Sequence, residues 1–83
     1  MGAFKVIYDE KAREDLDRLS PRNAFQIVRK IGRLQNGLQG DVKRLKGHDI
    51  AYRLRMGNFR ILFDVDENTI TIRKIKDRKE AYD

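Results

Sequence analysis

Apolar and polar residues alternate along Tyr52-Arg53-Leu54-Arg55-Met56 and again along Phe59-Arg60-Ile61-Leu62-Phe63, with Gly57-Asn58 between the two runs. This is the pattern of a hairpin closed by a two-residue turn of type I′ or II′. The turn sets the register. Met56 pairs with Phe59, Arg55 with Arg60, Leu54 with Ile61, Arg53 with Leu62 and Tyr52 with Phe63. One face of the hairpin is then wholly apolar and the other carries three arginines. Like charges directly opposite each other destabilise a sheet by up to about 1 kcal/mol, so Arg55 against Arg60 calls for an anion. Phosphate is the obvious candidate.

Upstream, Phe4, Val6 and Tyr8 alternate with Lys5 and Ile7 and predict a first strand with one apolar face. Asp9 is placed to cap a helix in which Tyr8, Ala12, Leu16 and Leu19 form an apolar stripe, leaving Lys11, Arg13, Glu14, Asp15 and Asp17 to solvent. Ser20-Pro21 stops this helix and starts another, since Ser is a good N-cap and Pro fits the first helical position. Ala24, Ile27, Val28, Ile31, Leu34 and Leu38 keep helical spacing to a terminus between Gly37 and Gly40. Gly32 inside that helix fits either close packing on a neighbour or an incidental surface position. Beyond Gly40 the period becomes alternating. Val42 to Lys46 reads as a short strand or extended segment, Gly47-His48-Asp49 as a turn, and Glu67-Asn68 as a turn into the β-branched Thr69-Ile70-Thr71-Ile72. Ile75 falls out of phase with Ile70 and Ile72, which either a bulge or a strand buried on both faces explains. The predicted class is α+β: an N-terminal strand, a helical hairpin, then three to four consecutive antiparallel strands, β-α-α-β-β-β-β, as one domain over residues 1–83.

Composition narrows the classes of function. The chain has 83 residues and no cysteine, which excludes a disulfide framework, a thiolate nucleophile and a thiolate metal site. No stretch approaches the roughly 20 apolar residues of a transmembrane helix and no signal-peptide pattern opens the chain, so a cytoplasmic protein is expected, with no membrane partner. The formal net charge of +6 favours polyanions. Local windows are more telling than the total. Lys43 to Arg60 holds six basic residues against Asp49 alone, and Arg73 to Lys79 five against Asp77 alone. Asp64, Asp66 and Glu67 make an acidic end between them.

These segments carry a resemblance. Lys46-Gly47, the stretch from Tyr52 to Arg60, and Asp77-Arg78-Lys79-Glu80-Ala81-Tyr82 look like signature positions of the RelE/ParE superfamily of toxin–antitoxin toxins, in an order of elements that matches over essentially the whole chain. The RelE branch is implied. RelE-like enzymes place basic residues on this hairpin, an arginine after the aromatic of the next strand, and an arginine four residues before a C-terminal tyrosine; Arg53, Arg55, Arg60, Arg78 and Tyr82 fill those positions. The resemblance implies a metal-independent endonuclease that cuts messenger RNA in the ribosomal A site and is held inactive by an acidic cognate antitoxin. It implies no cofactor.

The chemistry asks for a 2′-hydroxyl attacking the adjacent phosphate, a base for its proton, donors for the developing phosphorane charge and an acid for the leaving 5′-oxygen. Guanidinium groups supply the electrostatic part, because they are planar, permanently charged and bind phosphate oxygens in pairs. They are poor bases. Arg55 and Arg60 are therefore assigned to phosphate and transition-state stabilisation, and Arg78 to phosphate binding or leaving-group assistance. Tyr82 is assigned to base or base-orienting work, with stacking on a nucleobase. Arg53, Lys43, Arg44 and Lys46 are assigned to RNA and phosphate attraction. Each has a quieter reading: a solvated arginine face, an Arg53 stem that covers Leu62, a tyrosine near the end of the chain that orders nothing. His48, the single histidine, sits in a Gly-His-Asp turn. Two rival functions remain, a ParE-like DNA gyrase inhibitor without nuclease activity and a non-catalytic RNA-binding domain.

Overall fold

The structure, a computed structural model, describes residues 4–38, 40–47 and 49–77. Its elements follow the predicted order. Strand β1 spans Lys5–Tyr8, helix α1 Glu10–Asp17 and helix α2 Pro21–Gly32, which continues as a 3-10 turn over Arg33–Asn36. Strands β2 (Val42–Arg44), β3 (Tyr52–Met56), β4 (Phe59–Asp66) and β5 (Thr69–Asp77) complete it. Both helix starts use the expected caps: Asp9 accepts from the N–H of Glu10 at 2.7 Å, and Ser20 from that of Asn23 at 3.2 Å with Pro21 beginning the helix.

The five strands form one sheet in the order β1-β5-β4-β3-β2. Strands β2 to β5 are antiparallel neighbours, while β1 lies parallel to β5, with Val6 opposite Ile70 and Tyr8 opposite Ile72. One sheet face is apolar and takes the helices. Ala12 of α1, Ile27 and Ile31 of α2 and Leu34 pack with Leu54, Ile61, Phe63, Ile70, Ile72 and Ile75 of the sheet to form the core. Because side chains alternate along a strand, everything between those sheet residues points to the other face.

The β3–β4 register is the predicted one, from Met56 opposite Phe59 to Tyr52 opposite Phe63. Gly57 takes φ 56° and is followed by Asn58 on the ordinary side of φ, the type II′ choice. The break in alternation after Ile72 is a bulge: Phe63 pairs with Ile72 but Leu62 with Lys74, leaving Arg73 as the extra residue. That single insertion returns Ile75 to the core and turns Lys74 and Lys76 outward.

Three expectations need correction. Asp15 does not face solvent; it is buried and accepts the N–H of Ile75 at 2.9 Å and a Lys11 ammonium hydrogen at 2.8 Å. Val28 lies on the exposed side of α2 and not in the core stripe, because the helix turns Ile27, Ile31 and Leu34 inward. A Cβ at Gly32 would meet nothing within 4 Å, so this glycine serves no close packing.

Candidate nucleic-acid interface

Alternation and register together set the chemistry of the outer sheet face. Arg55 stands opposite Arg60, and Arg60 opposite Lys76, so three cations cross three neighbouring strands in one rung. The next rung runs Lys43, Arg53, Leu62, Lys74. At the far end of the same face Arg73 is held by two carboxylates, donating from Nε to Asp9 at 3.0 Å and from a terminal nitrogen to Asp64 at 2.7 Å. Those two hydrogen bonds, Asp64 first, raise the pKa of Arg73. Of the acidic end read from the sequence, Asp64 is thus engaged by the bulge arginine, while Asp66 and Glu67 are not.

Asp41 is the residue the sequence reading missed. It precedes β2 by one position, and its carbonyl accepts the Arg55 N–H at 3.0 Å, which extends the β2–β3 ladder and places Asp41 beside Arg55 on the outer rung. Its carboxylate accepts from Arg55 Nε at 2.7 Å and from a terminal nitrogen of Arg53 at 3.3 Å. The hydrogen bond from Arg55, with the charge of both arginines, holds the Asp41 carboxyl below the ordinary carboxylate range. The Arg55–Arg60 opposition therefore has an anion inside the protein, where phosphate had been expected to supply all of it. This relief reaches Arg55 only. Among the described residues Arg60, Lys74 and Lys76 make no side-chain hydrogen bond or ion pair.

The other predicted residues are dispersed. Lys43 joins the outer face next to Arg53, whose side chain is only 14% exposed and whose Nε is buried without a hydrogen-bond partner. Arg44 points the opposite way, 5.8 Å above the ring of Tyr52, which itself stacks on Phe63 at 5.4 Å. Lys46 lies in the loop after β2. Lys43, Arg44 and Lys46 thus do not form one patch. Arg78, Tyr82 and His48 lie outside the described residues. Strand β5 is described to Asp77, whose strand partner is Phe59, immediately beside the Arg60–Lys76 pair. Two further residues, Lys74 and Lys76, joined the site without being foreseen. The disturbed phase at Ile75 was their signal, since only a bulge puts both on the arginine face. Lys74 and Lys76 also line a niche of about 180 Å³ with Leu45, Asp49, Ile50 and Leu62.

Cations in rungs on an antiparallel face, flanked by a shallow niche, give this face the charge and the directed donors that an anionic backbone requires. Among the described residues its carboxylates Asp9, Asp41 and Asp64 are bonded to arginines. Residues 6–82 match the family model described as ParE toxin of type II toxin-antitoxin system, parDE. The chain belongs to the RelE/ParE superfamily of type II toxins. Within it the relatives are RelE-like. The chain is 38% identical over 85 residues to the Methanocaldococcus jannaschii protein named "Putative toxin RelE1", covering 95% of this chain and 94% of that one. The toxin–antitoxin complex RelBE2 of Mycobacterium tuberculosis contains a chain of 27% identity that superposes with a TM-score of 0.79, over 92% of this chain and 99% of that one. The isolated RelE toxin of E. coli shares the fold at a TM-score of 0.77 with 14% identity, over 96% of this chain and 89% of that one. This RelE-like toxin therefore has the α+β sheet and helix pair of its relatives. No helix among its described residues is long and apolar enough to cross a membrane.

Proposed function

We propose that this toxin is a ribosome-dependent, metal-independent endonuclease that cuts messenger RNA in the A site by attack of a 2′-hydroxyl on the adjacent phosphate. The observation that carries the reading is the rung Arg55–Arg60–Lys76, in which Arg60 sits between two cations with no carboxylate of its own among the described residues. Such a row is costly in the free protein and favourable around a phosphate. Arg60 stabilises the phosphorane, Arg55 and Arg53 hold phosphate, and Lys43, Lys74 and Lys76 extend the electrostatic track. Arg78 binds phosphate or assists the leaving group, and Tyr82 serves as base or orients the attacking hydroxyl. The whole chain acts as one cytoplasmic domain, and an acidic antitoxin of the RelB kind covers the basic face to silence it.

The test is cell-free translation followed by primer extension on the message. Cuts within translated codons are expected, and Arg60→Ala should lower their rate by about 10²-fold or more, the usual cost of removing one donor to a developing anion. Cuts that appear equally on naked RNA would sink the ribosome-dependent reading. The family model named for ParE favours a second reading, a DNA gyrase inhibitor that cleaves no RNA. Gyrase-dependent DNA breaks with intact messages would select it.

A further inference from the structure

We propose that Asp41 is a positioning residue for phosphate recognition, fixing Arg55 by its Nε edge so that the terminal nitrogens are left to bind an RNA phosphodiester. This rests on the reading of the outer face as an RNA-binding surface.

Three bonds define the arrangement. The main chains of Asp41 and Arg55 are joined at 3.0 Å, the Asp41 carboxylate takes Arg55 Nε at 2.7 Å, and its second oxygen takes a terminal nitrogen of Arg53 at 3.3 Å. Both carboxylate oxygens are thus spent on neighbouring arginines. An arginine side chain half exposed, as Arg55 is at 50%, would otherwise sample many rotamers. Fixing one edge of a guanidinium removes most of that freedom, because the group is planar and its remaining donors move with it. The choice of Nε matters. Phosphate is bound in pairs of parallel N–H bonds, and the terminal nitrogens of Arg55 have no partner among the described residues.

Placement supports design over accident. Asp41 is the single acidic residue between Arg18 and His48 in the sequence. It falls in register with Arg55 at the end of the rung that continues to Arg60 and Lys76. The opposite role is physically definable: a carboxylate that merely occupies the arginines would compete with phosphate. The two roles predict opposite couplings between Asp41 and Arg55.

A double-mutant cycle on binding to a short single-stranded RNA, at fixed salt and with the full chain, separates them. In the otherwise unmodified protein Arg55→Ala should weaken binding by about tenfold, and in the presence of Asp41→Asn by about twofold or less. A contribution of Arg55 that is equal or larger once Asp41 is replaced would overturn the proposal in favour of competition. Should Asp41→Asn fail to fold, NMR of the unmodified protein still decides. The Arg55 Nε–H should exchange much more slowly than that of a free arginine, and an equal rate refutes the positioning role. Coupling without cleavage on ribosomes would retire the nuclease reading and leave this one standing, whereas cleavage on ribosomes with no measurable RNA binding would overturn this proposal alone.

Discussion

Asp15 accepts the main-chain N–H of Ile75 at 2.9 Å, tying the first helix to the last strand across 60 residues of sequence. Strand β1 stops at Tyr8, opposite Ile72, so on that side the edge of β5 beyond this point has no strand partner among the described residues. The buried carboxylate continues the ladder with a side chain. Asp15→Ala leaves that buried N–H unpaired and should destabilise the fold by about 2 kcal/mol. Lys11→Ala removes the half-exposed ammonium but leaves the buried Asp15 carboxylate its Ile75 N–H, and should cost less, about 1 kcal/mol. Urea unfolding of the two variants checks the contrast.

Arg60 is expected to help binding at the expense of folding. It faces Arg55 on one side and Lys76 on the other, and removing one member of such a row relieves repulsion of a few tenths to about 1 kcal/mol. Arg60→Ala should therefore be as stable as the unmodified protein or slightly more so, while its RNA affinity falls and the slope of log affinity on log salt decreases by about 1. Thermal melting and salt-dependent binding titrations give the two numbers. A destabilised Arg60→Ala would mean that the arginine supports the sheet and that repulsion is not its dominant interaction.

The hairpin register was legible in the sequence because a two-residue turn admits one pairing, and Gly57-Asn58 marks it unambiguously. The face of Arg53, Arg55 and Arg60 followed from it. Asp41 was not legible, since its neighbour Arg55 is 14 positions away and is reached through an irregular loop whose length fixes no register. Nor was the burial of Asp15: its spacing of three from Ala12 and four from Leu19 puts it on the apolar stripe, but a carboxylate looks solvated until the strand edge it serves is known. Lys74 and Lys76 were half legible. The phase break at Ile75 announced an irregularity, and its resolution as a bulge needed the pairing with β4. The parallel β1–β5 contact had no local signal, as it joins the two ends of the described fold.

Two titrations are expected to contribute to the pH dependence of stability. Burial raises the Tyr8 phenol above its ordinary value near 10. The folded state then holds that proton more tightly than the unfolded chain, so this contribution is fully present below about pH 10 and is lost as pH rises through the folded value. Tyr8→Phe should flatten the alkaline fall in stability. Asp41 runs the other way, because its arginines depress its pKa. Its contribution is present above about pH 3.9 and is lost as pH falls through the depressed value, so Asp41→Asn should flatten the acid limb. Unfolding midpoints measured from pH 3 to 11 would show both, and unchanged limbs would remove these groups from the pH account.

The two tight turns of the sheet use the same backbone angle with different residues, and this gives a paired test. Gly57 opens the β3–β4 turn at φ 56°, and Glu67 opens the β4–β5 turn at φ 56°. A left-handed conformation costs an L-residue roughly 1–2 kcal/mol and glycine almost nothing, against roughly 0.5–1 kcal/mol of extra backbone entropy that glycine loses on folding. Nothing lies within 4 Å of a Cβ built at Gly57, so Gly57→Ala carries the conformational cost alone and should destabilise by about 1 kcal/mol. Glu67→Gly should stabilise by about 0.5 kcal/mol. Only the first change touches the cationic rung, since Arg55 and Arg60 are the second pair from the Gly57-Asn58 turn while Glu67 closes the opposite end of β4. RNA affinity should therefore fall in Gly57→Ala and hold in Glu67→Gly. Equal effects on affinity would mean that the turn does not set the spacing of the two arginines.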